Sequence, residues 1–214
     1  MKNRHPEEPR RSVSEEGRRR DPDLKVQKVT SLAITGSFAS GKSFILNYLK
    51  ELGYKVFSCD DYVRQLYKDI KIQQDIVGIL DLQTFDKSLI KAIYSDDKKR
   101  KKLEEYIHPL VRAEIREFKN KYSNEKLLFI EIPLLFETGF NKYFDYSICV
   151  YCSEENREKR ARLRENFDLK IYKEITKIQL SQEEKRNLAN FEINTDLGFV
   201  STKDQINQII DRIE

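Results

Sequence analysis

The chain has 214 residues and a formal charge of +4, with 36% charged and 11% aromatic residues. That length suits one domain carrying an insertion, and no apolar run approaches the roughly 18 residues a membrane-spanning helix needs. The positive charge does not point to nucleic acid: residues 1–28 hold nine Lys/Arg against six Asp/Glu, which leaves the remaining chain close to neutral.

Residues 1–28 carry four apolar side chains, Met1, Val13, Leu24 and Val26. So few cannot offset the entropy of ordering a segment, which is expected to be a disordered polar extension. It has neither the apolar stretch of a secretory signal nor the acid-poor composition of a mitochondrial presequence. From residue 29 the pattern turns regular. Val29–Thr35 reads as a buried strand. Lys42–Leu52 places Ile45, Leu46 and Leu49 at helical spacing and stops at Gly53. Tyr54–Ser58 is a second short strand. Residues 60–122 are charged and helical in period, with a break expected at Pro109. Leu127–Ile132 and Tyr146–Tyr151 are continuous apolar runs of strand type. Ser153 is positioned to cap a helix over EENREKRARLREN. Two further helical stretches precede a last strand, Phe191–Thr195, and a closing helix from Thr202. Short buried strands alternating with helices predict βαβ units around a parallel sheet. The segment 60–122 is too long for a crossover and reads as an inserted helical subdomain.

Three cysteines, Cys59, Cys149 and Cys152, are too few and odd in number for a disulfide framework, which favours a reducing compartment. Cys149 and Cys152 form a C-x-x-C. No second such pair accompanies it, the histidines are only His5 and His108, and Cys149 lies inside an apolar run. A buried strand cysteine is the simpler reading.

Between the first strand and the first helix stands Gly36-Ser37-Phe38-Ala39-Ser40-Gly41-Lys42-Ser43, then Phe44, which fits G-x-x-x-x-G-K-S/T in the strand–loop–helix context that motif requires. Gly36 permits the sharp turn, and Gly41 removes a Cβ where backbone meets phosphate. Loop N–H groups and the positive end of the helix converge on an anion. Lys42 would reach the β- and γ-phosphates, and Ser43 would offer its hydroxyl to Mg²⁺. This predicts nucleoside triphosphate binding and leaves the reaction open. A GTPase switch finds only near misses: Asp75-Ile-Val-Gly78 lies in a helical segment, and Asn141-Lys142-Tyr143-Phe144 lacks an Asp fourth. A small-molecule kinase needs a base near the loop. Asp60 closes the second strand, at the edge where parallel sheets bind ligands; it is either that base or, with Asp61, a helix N-cap. Arg157, Arg160 and Arg164 share one helical face. They form either a solvated surface or a cationic row that closes over ATP.

With these residues in place, the chain from about Leu32 onward resembles the dephospho-coenzyme A kinase family. The resemblance rests on TGSFASGKS, VFSCDD, IHPLVR at 107–112, IPLLFETG at 132–139, and a Gln179-to-Lys185 pattern followed by LANFEIN. It implies an α/β, three-layer P-loop kinase with a central parallel five-stranded sheet, a helical substrate-binding insertion at about 61–122 and a lid at about 153–180. The reaction implied is ATP-dependent phosphorylation of the ribose 3′-hydroxyl of dephospho-coenzyme A in the cytoplasm, with ATP and Mg²⁺ and with no nucleic-acid or membrane partner. By matched position, Asp60 looks like the general base and Lys42 the phosphate lysine. Arg160 or Arg164 looks like the lid arginine, with Arg160 carried forward as catalytic and Arg164 as ATP-binding. His108, Arg112, Pro133, Leu134, Phe136 and Glu137 fall in the acceptor site, and Glu131 is a candidate to hold a metal-bound water. The alternatives are a kinase for another small hydroxyl substrate, such as a nucleoside monophosphate, or a P-loop switch.

The sequence also departs from the family. Where Gly-Gly-Ile-Gly-Ser-Gly is usual, Ser37, Phe38 and Ala39 occur, so Ser37 and Ala39 are expected at ordinary φ/ψ. The usual D-A-D is Ser58-Cys59-Asp60. Lys87 is the nearest match to a basic residue ahead of the first substrate-domain helix. Asn190, Thr195 and Leu197 stand where Asp, Asn and Gly are usual.

Overall fold

The computed structural model describes residues 29–86, 93, 96–164 and 167–214. The extension at 1–28 and Lys87 lie outside these. Five strands form one sheet: β1 (Thr30–Thr35), β2 (Lys55–Ser58), β3 (Leu127–Glu131), β4 (Tyr146–Tyr151) and β5 (Phe191–Asn194). All pair in parallel, in the order β2-β3-β1-β4-β5. Helices cover both faces, so every residue of β3 is buried, Glu131 at its carboxyl end included.

The alternation along each strand decides which helix it meets. Leu32, Ile34, Phe129, Ile148, Val150 and Ile193 point to one face. There they pack against α1 (Lys42–Glu51) and the closing helix α8 (Gly198–Ile213). Ala33, Leu128 and Ile130 point to the other face, onto Ile115, Leu135 and Phe140. β1 sits at the centre of this sheet. Its carboxyl end, where connections leave to either side, is where an open α/β sheet places its ligand.

Among the described residues the insertion between β2 and β3 contains α2 (Cys59–Leu66), α3 (Ile70–Leu80) and α4 (Asp97–Lys121). It has its own apolar centre of Ile76, Leu80, Leu103 and Ile107. The expected break at Pro109 does not occur, because α4 runs through it. Pro109 lacks an N–H, so the Glu105 carbonyl loses its helical donor; both residues face solvent, where water satisfies that carbonyl. The uninterrupted helix has a consequence for the site. Its first half belongs to the insertion, while Ile115 and Phe118 in its second half pack against the sheet. One rod therefore roots the insertion on the core.

After β4 come α5 (Glu154–Arg162), α6 (Leu169–Ile178) and α7 (Gln182–Leu188). Ser153 caps α5, accepting from the Asn156 N–H as its position suggested. The closing helix begins at Gly198 and not at Thr202; no side chain caps it, so the sequence carries no start signal there. All three cysteines are buried and unpaired. Burial raises the Cys149 thiol to about 11, which suits a strand residue and not a redox centre. Among the described residues no helix is long and apolar enough to cross a membrane.

Candidate active site

The loop after β1 is shaped by close approach. At Gly36 (φ 149°) a Cβ would lie 2.2 Å from the Val150 carbonyl oxygen, and at Gly41 (φ 103°) 3.1 Å from Thr195 Cγ2. Ala39 does not keep an ordinary φ; it sits at 63°, left-handed, at a cost of about 1–2 kcal/mol. The loop retains its path because Ala39 is buried against Ala161 and Tyr172, which hold it there. Gly36→Ala, by contrast, meets rigid backbone. The expected result is a melting temperature lowered by several degrees and loss of measurable ATP binding, since the loop must move off Val150; scanning calorimetry and nucleotide titration check this.

Gly41 leads into α1 with no side-chain cap, so the N–H groups of its first turn face the loop. The Lys42 ammonium donates to the carbonyls of Gly36 (2.9 Å) and Ser37 (3.2 Å). Burial lowers the Lys42 pKa, while the facing Glu131 and Asp60 carboxylates oppose that shift. Neither Asp60 nor Asp61 caps α2: Ser58 is the N-cap, its Oγ accepting from the Asp61 N–H at 3.2 Å. Asp60 does not close β2, which ends at Ser58; it lies exposed in the first turn of α2. Ser58 also donates to Glu131 at 2.5 Å. Glu131 is buried and its pKa is raised, by burial first and then by Asp60.

Two clefts converge on this point. A polar cleft of about 250 Å³ is lined by the loop, Ser43, Glu131, Arg64 and Arg164. A larger cleft of about 770 Å³ runs under the insertion, with walls that include Val63, Tyr67, Leu103, Ile107 and Val111. Three residues line both: Phe38, Lys42 and Asp60. The lysine and the carboxylate stand where two ligands would touch. Such an arrangement can pass a phosphoryl group from a nucleotide to a second molecule.

A sequence model described as dephospho-CoA kinase matches residues 30–200. A Rickettsia bellii dephospho-CoA kinase is 46% identical over 186 residues, covering 86% of this chain and 97% of that protein. One from Bartonella quintana is 33% identical, covering 85% and 97%. The chain belongs to the dephospho-CoA kinase family. Among solved structures, dephospho-CoA kinase from Campylobacter jejuni is 25% identical with a TM-score of 0.59, covering 86% of this chain and 96% of that one. A Thermus thermophilus protein is also 25% identical, with a TM-score of 0.75 and coverage of 87% and 99%. Shikimate kinase from Acinetobacter baumannii, at 14% identity and a TM-score of 0.52, shares the fold.

Within this kinase the expected acceptor residues divide. His108, Arg112, Pro133 and Leu134 line the larger cleft. Burial lowers the His108 pKa, which favours the neutral imidazole. Phe136 does not line the cleft; it packs against the core beside Leu135 and Phe140. Glu137 is held by Lys185 at 2.9 Å and by the Leu180 N–H at 2.9 Å. Lys185, fully buried, also donates to the Pro133 carbonyl at 2.6 Å. Glu137 and Lys185 therefore brace the 133–137 turn, while Gln179, at the other end of that pattern, lines the larger cleft and accepts from the Phe38 N–H. The two arginines divide as well. Arg160 donates to Thr195 Oγ1 (2.7 Å) and the Thr195 carbonyl (2.9 Å), while Arg164 lines the polar cleft. Phe44 rests on Phe199 with ring centroids 4.8 Å apart.

Arg64 escaped the sequence reading. It lines the polar cleft and pairs with Asp61; the usable signal was its position one helical turn after Asp60. The switch motifs fall away. Asp75–Gly78 lies within α3, and residues 141–143 belong to a 3₁₀ turn whose following Asp145 accepts from Ser31.

Proposed function

We propose that the chain transfers the γ-phosphoryl group of ATP to the ribose 3′-hydroxyl of dephospho-coenzyme A, giving coenzyme A and ADP. One observation carries this reading within the family: the long apolar cleft under the insertion meets the phosphate loop at Asp60 and Lys42. Nucleotide phosphates occupy the polar cleft, cradled by the loop from Gly36 to Ser43. The acceptor ribose lies at Asp60 and its pantetheine arm runs along the apolar walls past His108, Arg112, Pro133 and Leu134. The insertion at about 61–122 holds the acceptor, and the segment at about 153–180 is the lid.

Asp60 takes the proton of the 3′-hydroxyl as its oxygen bonds to the γ-phosphorus. The bond from that phosphorus to the bridging oxygen breaks, and ADP leaves. Lys42 and Arg164 neutralise charge on the transferring group, which is where most of the catalysis lies. Among the described residues no cluster of three or more acidic, His or Cys side chains could enclose an ion alone. Ser43 and Glu131 line one polar cleft and would hold a Mg²⁺ ion there. Such an ion, when bound, would supply charge neutralisation during the transfer.

The test is ADP release from Mg-ATP in the presence of dephospho-coenzyme A, with the new phosphate located by phosphorus NMR. A 3′-phosphate supports the reading, and acceptor-independent hydrolysis alone contradicts it. The lid arginines give a second check. Arg164→Ala should lower kcat on the order of 10²-fold, as for other donors to developing charge. Arg160→Ala should leave kcat nearer wild type but lower the melting temperature and weaken ATP binding, because its bonds hold Thr195 against the loop. Equal kinetics for both variants would reject this division.

A further inference from the structure

Phe38 is a loop residue whose side chain the transfer chemistry does not call for, yet it meets three residues of the 153–180 segment. Its ring lies 4.4 Å below the Arg164 guanidinium carbon. It meets the Tyr172 ring edge-on, with centroids 6.0 Å apart and planes at 62°. Its backbone N–H donates to Gln179 Oε1 at 3.1 Å. These three partners come from just beyond α5, from within α6 and from the residue after α6. Around them Ala39, Ala161 and Tyr172 form a small apolar cluster that includes Phe38 and Phe167. Phe38 also lines both clefts, beside Lys42 and Asp60.

We infer that Phe38 is a positioning residue for the phosphoryl transfer, holding Arg164 over the phosphates through the face of its ring. The inference rests on the assignment of Arg164 to the nucleotide. Arg164 is exposed and lies two residues beyond the last residue of α5, so the helix does not fix its direction. A guanidinium over an aromatic face is attracted by the ring quadrupole and keeps its outer N–H groups free for phosphate. Tyr172 packs on the ring edge-on and Gln179 holds the Phe38 backbone, so the loop that cradles phosphate also aims the lid cation. An aliphatic side chain of similar bulk would preserve the packing and lose the aim.

The experiment is a double-substitution cycle in the full chain, with Phe38→Leu, Phe38→Tyr, Arg164→Ala and the Phe38→Leu/Arg164→Ala pair. Steady-state kinetics and melting temperatures are measured for each. Phe38→Leu should lower kcat about five- to thirtyfold, the worth of a partly desolvated cation–π contact, with KM for dephospho-coenzyme A changed less than twofold. Phe38→Tyr keeps the ring and should retain most of kcat. In the Arg164→Ala background, Phe38→Leu should cost less than about twofold more, because contacting residues are not additive. Fully additive losses, or parallel falls in kcat, acceptor binding and melting temperature, would make Phe38 a packing residue and overturn the inference alone. A wild-type kcat for Arg164→Ala would overturn the Arg164 assignment as well. If Phe38→Leu does not fold, Arg164→Lys probes the same contact from the other side. It keeps the charge without the planar stack, so a fivefold or greater loss of kcat supports the inference and a wild-type kcat overturns it.

Discussion

Asp60→Asn should lower kcat by about 10²–10⁴ while leaving ATP affinity nearly intact, the usual span for removing a general base. The geometry separates this from a stability effect. Ser58 caps α2, and the Asp60 carboxylate is exposed where the two clefts meet. Its amide replacement is isosteric and breaks no cap. Glu131, the other carboxylate beside Lys42, is a poor substitute because it is buried and engaged by Ser58 at 2.5 Å. Removing Asp60 also removes one cause of the raised Glu131 pKa, so Glu131 should ionise at lower pH in the variant. Single-turnover kinetics with nucleotide titration measure both quantities. Turnover within a few-fold of wild type would take the base role from Asp60.

Truncating the acceptor should have an effect of similar size. AMP or adenosine should react with kcat/KM about 10³-fold below dephospho-coenzyme A, because burying roughly 170 Å² of apolar arm is worth about 4 kcal/mol. Part of the loss should fall on kcat, since remote binding energy positions the reacting hydroxyl. The cleft walls of Val63, Tyr67, Leu103 and Ile107 lie in the insertion, well beyond what a nucleotide alone needs. Comparing ADP release across the acceptors checks this. AMP matching dephospho-coenzyme A would make the chain a nucleotide kinase.

The parallel strands and the G-x-x-x-x-G-K-S loop were legible in the sequence because each depends on residues adjacent in the chain, whereas Asp60, read as closing the second strand, lies in the first turn of α2 beyond Ser58. A buried strand must be apolar throughout, and a loop that meets both Val150 and a phosphate must begin with glycine. The order of the sheet, β2-β3-β1-β4-β5, and its register were decided by the tertiary structure, because alternation along a strand says which face a residue points to and not which strand lies beside it. Other assignments depended on partners far away in sequence, which local pattern does not carry. Arg157, Arg160 and Arg164 read as one helical face, but α5 ends at Arg162, so Arg164 lies beyond the helix over the Phe38 ring while Arg160 is bound to Thr195. Residues 133–137 read as one continuous acceptor motif, but Lys185 reaches from α7 to hold Pro133 and Glu137, turning Leu134 to the cleft and Phe136 to the core. Ala39 is left-handed because Ala161 and Tyr172 pack on it, against its own preference. Pro109 ends no helix because its missing donor faces water and its helix is gripped at both ends. Local preferences of about 1–3 kcal/mol set the sequence signals, and tertiary packing of comparable or greater size overrides them.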